Sequence, residues 1–386
     1  MNKINHSINI LHDYCEKEDY RGWDPFDGLN SELFNKSNLK NYYLPRLFLI
    51  QLLKRSPINF RKILKVPKGY NTKGLSLFLT SYCNLYSISN DKLYLEKINF
   101  IAEKLISLRS KNYPESCWGY NFDWQSRAFF LPKYTPTVVA TSFVADSLFA
   151  AYEITKNTKY LNHALSSANF IKKRLNISPA SNGIIFSYSP LDSTRVYNAS
   201  ILGARLLAQA YYYTNNKEYF ESSTQAVNYV ISNQNFDGSW VYGELKIQKW
   251  IDSFHTGFIL ECISDYMKFT NDNKFIDQLD KGMEYYLKNF FKENGAPKYY
   301  NNSLYPIDIH SPAQLITTLY KTNYFSKNKN LANKVVVWTI KNMQHKNGYF
   351  YYQKNRFFTS KIPYMRWSQA WMFYALSYFK RGINEN

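Results

Sequence analysis

Acidic side chains are scarce in this chain and cysteines scarcer: 29 Asp and Glu stand against 48 Lys and Arg, a formal charge of +19, and 386 residues hold four Cys. Cys15, Cys83, Cys117 and Cys262 are far apart, with no CxxC spacing. That excludes a disulfide framework or zinc ribbon and reads as free thiols in a reducing compartment. With 14 Gly and 13 Pro the composition is neither collagen-like nor low-complexity. No apolar run approaches the roughly 20 residues that span a bilayer. The first twenty residues carry charges throughout and no apolar h-region, so neither a signal nor a transit peptide is expected, and the expected location is cytoplasmic.

The excess of bases is compatible with an anionic partner. Many of the bases are singles, such as Lys217, Lys268 and Lys281, and read as solvated helix faces. No RNP, KH or zinc-finger pattern is present and the bases do not gather on one helix, so nucleic acid is not the expected partner. Aromatics are plentiful, with 35 Tyr, 27 Phe and 8 Trp making 18% of the chain. Flat rings with polar edges suit sugar faces, bases or prenyl chains, and they also simply pack.

A repeat organises the chain. An amphipathic helix followed by a Gly and aromatic turn is clearest at Ala226 to Trp240, where Gln234-Asn-Phe-Asp-Gly238-Ser-Trp240 closes it. Weaker copies end at Trp118-Gly119-Tyr120, Gly183 to Phe186, Gly295 to Tyr299 and Gly348-Tyr349-Phe350. Each step is long enough for a helical hairpin. The second helices, such as Ala199 to Tyr213 and Gly257 to Phe269, are apolar or small nearly all round, which marks them as buried and inner. First helices such as Leu331 to Met343 mix in Lys and Asn. Leu44 to Leu64 with Gly74 to Ile88 reads as the first hairpin. The expected fold is all-α: one (α/α)6 toroid over 1–386, with 1–40 as an N-terminal extension packing on it, strands essentially absent, and short β turns in the loops around Tyr349 to Phe358.

The inner helices should start at Thr135-Pro136-Thr137, Asp192 to Arg195, Asp252 to Thr256, Asp308 to Pro312 and Arg366 to Gln369. Parallel inner helices would bring Asp192, Asp252, Asp308 and Arg366 to one rim. Each Asp is also a preferred helix cap, so their convergence about 8 to 10 Å apart, rather than any one of them, names a site. Asp252 and His255 share a face at spacing i, i+3, and Asp308 precedes His310 at a second helix entrance. A His beside a carboxylate can move a proton near neutral pH, or can be held there for structure. Asp252, His255, Asp308 and His310 are therefore the candidate catalytic set. Their spacing is not diagnostic of zinc, and neither a metal nor a cofactor is expected. Two irregular loops add binding candidates. Asp24 and Asp27 lie in Asp19 to Ser31, and Trp124 and Arg127 in Gly119 to Arg127, where a stacking plane sits beside an anion-binding fork. Arg195, Trp240 and Trp367 complete the substrate-binding candidates with Asp192 and Arg366.

The copy at Gln234 to Trp240 resembles the QW repeat of terpenoid cyclases. Asp252-Ser-Phe-His255-Thr resembles the Asp-x-Tyr-His-Thr stretch of protein prenyltransferase β subunits, whose histidine is a zinc ligand. The Asp-x-Asp-Asp motif of the first family and the Asp-x-Cys zinc partner of the second are both missing, so the resemblance implies a toroid more than an activity. Gly22 to Ser31, Trp118 to Arg127, Pro136-Thr-Val-Val and Asp308 to Gln314 are similar to bacterial polysaccharide-biosynthesis proteins of capsule, lipopolysaccharide and exopolysaccharide loci. Those in turn resemble the toroids of uronyl hydrolases, polysaccharide lyases and sugar epimerases. The resemblance implies a carbohydrate-active protein whose partner is an acidic or uronate-containing glycan or lipid-linked oligosaccharide. Epimerisation, elimination and hydrolysis all stay open, as do a non-catalytic glycan-binding role and a prenyltransferase-like or cyclase-like enzyme.

Overall fold

The computed structural model describes residues 2–127 and 129–385. Its helices are α1 (Asn2–Lys17), α2 (Glu32–Asn35), α3 (Tyr43–Arg55), α4 (Thr72–Ser89), α5 (Lys92–Ser107), α6 (Val138–Thr155) and α7 (Thr158–Arg174). They continue as α8 (Tyr197–Thr214), α9 (Lys217–Ser232), α10 (Ser253–Thr270), α11 (Ile276–Phe290), α12 (His310–Lys321), α13 (Lys329–Met343) and α14 (Trp371–Asn384), the last preceded by a π turn at Met365–Ala370. Helices α4, α6, α8, α10, α12 and α14 pack side by side, and α14 returns to α4 to close a ring. Around it, α5, α7, α9, α11 and α13 each lie against the inner helix that precedes them. The two sets differ as their sequences require: α10 is buried almost all round, whereas α11 buries a stripe of Leu279, Met283, Tyr286 and Phe290.

The sixth outer place belongs to α1, which packs on α13 and α14. Its buried residues Ile4, Ile8, Leu11 and Cys15 recur at helical spacing, the stripe an outer helix needs. Residues 2–17, read from the sequence as part of an extension, are thus ring structure, and the chain's start pairs with its end. Of the expected first hairpin, Gly74 to Ile88 lies within α4, but Leu44 to Leu64 is not its outer helix and is helical only as far as Arg55 in α3. Helix α3 buries only Ile50 and Leu53 and lies over the mouth, against the turn Asp27–Asn30 and the strand β1 (Trp124–Gln125).

The repeated Gly turn has one physical cause. Gly238 and Gly348 take φ of +92° and +96°, and a Cβ there would come within 2.5 and 2.0 Å of the carbonyl oxygens of Lys281 on α11 and Ile10 on α1. Each turn is pressed onto the next outer helix in a conformation that disfavours any side chain. Where β turns are expected, around Tyr349 to Phe358, a short ladder joins β2 (Ile307–Asp308), β3 (Gln353–Lys354) and β4 (Thr359–Ser360); the ladder pairing Ile177–Ala180 with Gly183–Phe186 lies outside that expectation. Register pairs Asp308 with Gln353.

All six inner N-termini open on the same end. Lys73, Val139, Asn198, Phe254, His310 and Arg366, each within the first two residues of its inner segment, line one cavity of about 380 Å³. Capping fixes these starts: Asn71, Thr137 and Asp252 accept the backbone N–H of Gly74, Ala140 and His255 at 3.2, 3.0 and 2.9 Å. At the far ends Asn90, Lys156, Asn215 and Asn271 stop the helices in the left-handed region. Halfway down the ring, Arg205 lies 3.6 Å from Asp146 and from Asp265, and Lys321 lies 3.6 Å from Asp146, a charged layer beneath the cavity.

Candidate active site

At the start of α10 one carboxylate does two jobs. Asp252 Oδ1 accepts the His255 N–H at 2.9 Å, capping the helix. Its Oδ2 accepts from Trp250 Nε1 at 2.9 Å and lies 2.7 Å from His255 Nδ1. The i, i+3 spacing has therefore brought the pair onto one face. Tyr242 and Phe254 hold the imidazole, with ring centroids 4.6 and 3.9 Å away. A carboxylate facing Nδ1 assigns the hydrogen to that nitrogen and leaves Nε2 for a ligand.

At the start of α12 the arrangement differs. Asp308 Oδ1 accepts the His310 N–H and Trp367 Nε1, both at 2.9 Å, and Oδ2 accepts Gln353 Nε2 at 2.6 Å. Burial nonetheless outweighs these donors and pushes the Asp308 carboxyl up to about 6. The His310 ring lies 4.5 Å from Phe254, nearly parallel to it, and 4.1 Å from Trp371. Both of its nitrogens are buried and have no hydrogen-bond partner among the described residues. Burial first, then the charge of Lys73, holds its pKa well below the usual histidine value, so the ring is neutral at physiological pH. A buried imidazole with both nitrogens unpaired on a cavity wall can hydrogen-bond to a molecule that enters the cavity.

Cations surround the two histidines. Lys73, on the first turn of α4, is buried with its ammonium 4.2 Å from the Phe143 centroid and 4.9 Å from that of Phe258. Burial, followed by the nearby Arg366 charge, drives its pKa well below the ordinary lysine value. The two ring faces oppose part of that shift. Lys54 and Arg55 of α3 and the exposed Arg127 line the upper wall. Arg366 also reaches the cavity, but its guanidinium is held by Asp24 in a buried bidentate pair at 2.5 and 2.7 Å. Trp124 supplies an aromatic wall, 5.9 Å from Phe26, 5.5 Å from Phe129 and 5.6 Å from Tyr188.

The candidates therefore divide. Trp124, Arg127, His255, His310, Arg366 and Trp367 line the cavity. Asp252 and Asp308, expected in the catalytic set, stand behind that wall at 2% and 0% exposure with both oxygens taken by protein donors. Asp24 and Asp27 are likewise buried as partners of Arg366 and Arg61. Asp192 does not start α8, which begins five residues later at Tyr197; it ties its own turn by accepting the Ser189 and Thr194 N–H at 2.7 and 2.9 Å. Arg195 turns to Glu244 at 3.2 Å, and Trp240 is buried with its Nε1 donating to the Val230 carbonyl at 2.9 Å. These three lie off the cavity. Among the described residues no Asp or Glu lines it, and no three His, Cys, Asp or Glu side chains converge as a metal site requires. Sequence reasoning missed Lys73 and Lys54. The first carried a signal, a single base among small and apolar residues at the start of an inner helix.

A floor built from Lys73, His310 and Arg366 does not fit the closed apolar cavity that a prenyl or terpenoid enzyme needs. Together the ring of helical hairpins and its mouth define an (α/α)6 toroid. No family model and no curated protein matches the chain. Among solved structures it is similar to the cellobiose 2-epimerase of Bacillus thermoamylovorans, with a TM-score of 0.62 and 12% identity over 82% of this chain and 90% of that one. A GH76 α-mannanase of Bacteroides thetaiotaomicron matches with a TM-score of 0.60 and 16% identity, covering 81% and 88%. An unsaturated glucuronyl hydrolase specific for heparin matches with a TM-score of 0.62 and 13% identity, covering 100% and 96%. At these identities the likeness is one of fold.

Proposed function

We propose that this chain is a carbohydrate-modifying enzyme that binds a uronate-containing glycan, or its lipid-linked precursor, and moves the proton on the sugar carbon beside the carboxylate. One observation carries the reading: the cavity gathers two histidines, several cations and aromatic planes, with no carboxylate among the described residues that line it. A site of that composition repels nothing anionic and has no pair of free carboxylates for glycoside hydrolysis. The structural neighbours named as an epimerase and a glucuronyl hydrolase support sugar chemistry in this fold.

In this mechanism His255 Nε2 takes the proton, and Asp252, 2.7 Å from Nδ1, stabilises the imidazolium. Lys73 and Arg127 hold the substrate carboxylate, whose negative charge grows as the carbon is deprotonated. The electron pair left behind has two fates. Reprotonation on the opposite face by a water held at His310, whose hydroxide then takes the proton back from the His255 imidazolium, inverts the carbon and gives epimerisation. Formation of a C=C bond breaks the β carbon–oxygen bond, and the departing oxygen takes the proton, giving elimination. Trp124 offers the sugar a stacking plane. The resemblance to polysaccharide-biosynthesis proteins supports a role in surface-glycan biosynthesis in the cytoplasm.

Titration calorimetry with matched uronate and neutral oligosaccharides, followed by NMR of the recovered sugar, tests this. The reading requires tighter binding of the uronate and an altered product. Unaltered binding of both, with no product, would instead support a non-catalytic glycan-binding component.

A further inference from the structure

The bases of this chain are not evenly scattered after all. Between Leu33 and Lys68 there are nine Lys and Arg and no Asp or Glu. Of these, Arg61 and Lys68 are consumed by Asp27 and Glu18. Lys36, Lys40, Arg55, Lys62 and Lys65 are exposed, and among the described residues none of the five is ion-paired. The same stretch carries apolar side chains where water should be. Leu39, Tyr42, Leu44, Phe48, Ile58 and Ile63 are 52, 61, 71, 68, 62 and 70% exposed.

Helix α3 organises the patch. Leu44, Phe48 and Leu52 recur every fourth residue and form one exposed stripe, while Leu47, Gln51 and Lys54 on the adjoining face line the cavity. A helix with a bare apolar stripe, in a stretch with exposed bases that have no ion partner and with no acids, has the composition of an interfacial element. Soluble surfaces scatter single apolar residues; a contiguous apolar patch beside a site marks a partner.

We infer that residues 33–65 dock this protein on an anionic lipid bilayer, with the cavity mouth held at the membrane surface. Charge complementarity selects the partner: five unpaired bases meet anionic headgroups, and the α3 stripe enters the headgroup boundary. Because one helix carries both the stripe and part of the cavity wall, docking brings the mouth within reach of a glycan anchored in the same bilayer. Binding needs no turnover, so it stands or falls separately from the proposed chemistry.

Flotation of the full chain with large unilamellar vesicles tests the inference, comparing pure phosphatidylcholine with a 1:1 mixture of phosphatidylcholine and phosphatidylglycerol. The expected result is binding to the anionic vesicles, weakened by salt and by about tenfold for each of Leu44→Ser and Phe48→Ser. Lys62→Gln with Lys65→Gln should weaken binding while leaving the apolar stripe intact, which guards against a folding artefact. Equal or absent binding to the two compositions overturns the inference. So does a concentration-dependent dimer in light scattering that the Phe48→Ser variant abolishes, because the stripe would then belong to a second copy.

Discussion

His255 Nδ1 and Asp252 Oδ2 lie 2.7 Å apart, and the same carboxylate caps the helix that carries the histidine. Capping and orientation can be separated because Asn caps a helix about as well as Asp. Asp252→Asn should keep the cap, lower the unfolding free energy by about 1 to 3 kcal/mol because its amide N–H then faces the Trp250 Nε1–H, and lower kcat on a uronate substrate by roughly 10² to 10⁴, the range for losing the orienting acid of a His base. His255→Asn should do at least as much. Differential scanning calorimetry beside initial rates checks both.

Asp308 connects stability to pH. Its folded pKa of about 6 lies above the ordinary aspartate value, because burial disfavours the charge. Between the unfolded and folded values the native state holds a proton that the unfolded chain has lost, so this group's contribution to stability is full at low pH and falls as pH rises from about 4 to 6. Asp308→Asn removes that slope. The difference in unfolding free energy between variant and parent should move in the variant's favour by about 2 to 3 kcal/mol across this window. Urea titrations at several pH values read it directly.

Lys73 should trade stability for function. Its folded pKa is depressed, chiefly by burial, so the stability it contributes is present above the unfolded lysine value and lost as pH falls toward the folded one. At pH 7 it is a cost, and Lys73→Met should hold or raise the unfolding midpoint. The same change should weaken uronate binding by tenfold or more while leaving a neutral oligosaccharide unaffected. Calorimetry with both ligands makes the comparison.

Arg366 and Asp24 form a buried pair across 342 positions of sequence. Asp24→Ala strands a guanidinium beneath the cavity and should cost about 3 to 5 kcal/mol, far above an exposed pair. Denaturant unfolding measures it.

The ring was legible because its causes are local. The Gly and aromatic turns ending at Trp240 and Phe350, the Asp252 cap and the all-round apolarity of α10 can each be read within a few residues of sequence, although the contact that demands Gly238 and Gly348 is with the next outer helix. What was not legible was made by distant contacts. Nothing near Arg366 announces Asp24 as its partner, and nothing near Asp308 announces Gln353 and Trp367. Those contacts occupy the oxygens of Asp24 and Asp308 with protein donors. Helix α1 was passed over because its stripe of Ile4, Ile8 and Leu11 finds its partners at the other end of the chain. His255 and His310 emerged from their carboxylate neighbours at two inner-helix starts, and the structure brings both onto one wall, with the Phe254 ring 3.9 Å from the first and 4.5 Å from the second.

Proton NMR of a uronate-containing surface glycan after incubation with the purified protein in D₂O tests the central claim most directly. The account predicts either deuterium on the carbon beside the carboxylate or a new double bond conjugated to it, both lost in His255→Asn. Cleavage of the glycosidic bond by water, with neither exchange nor unsaturation, would contradict it.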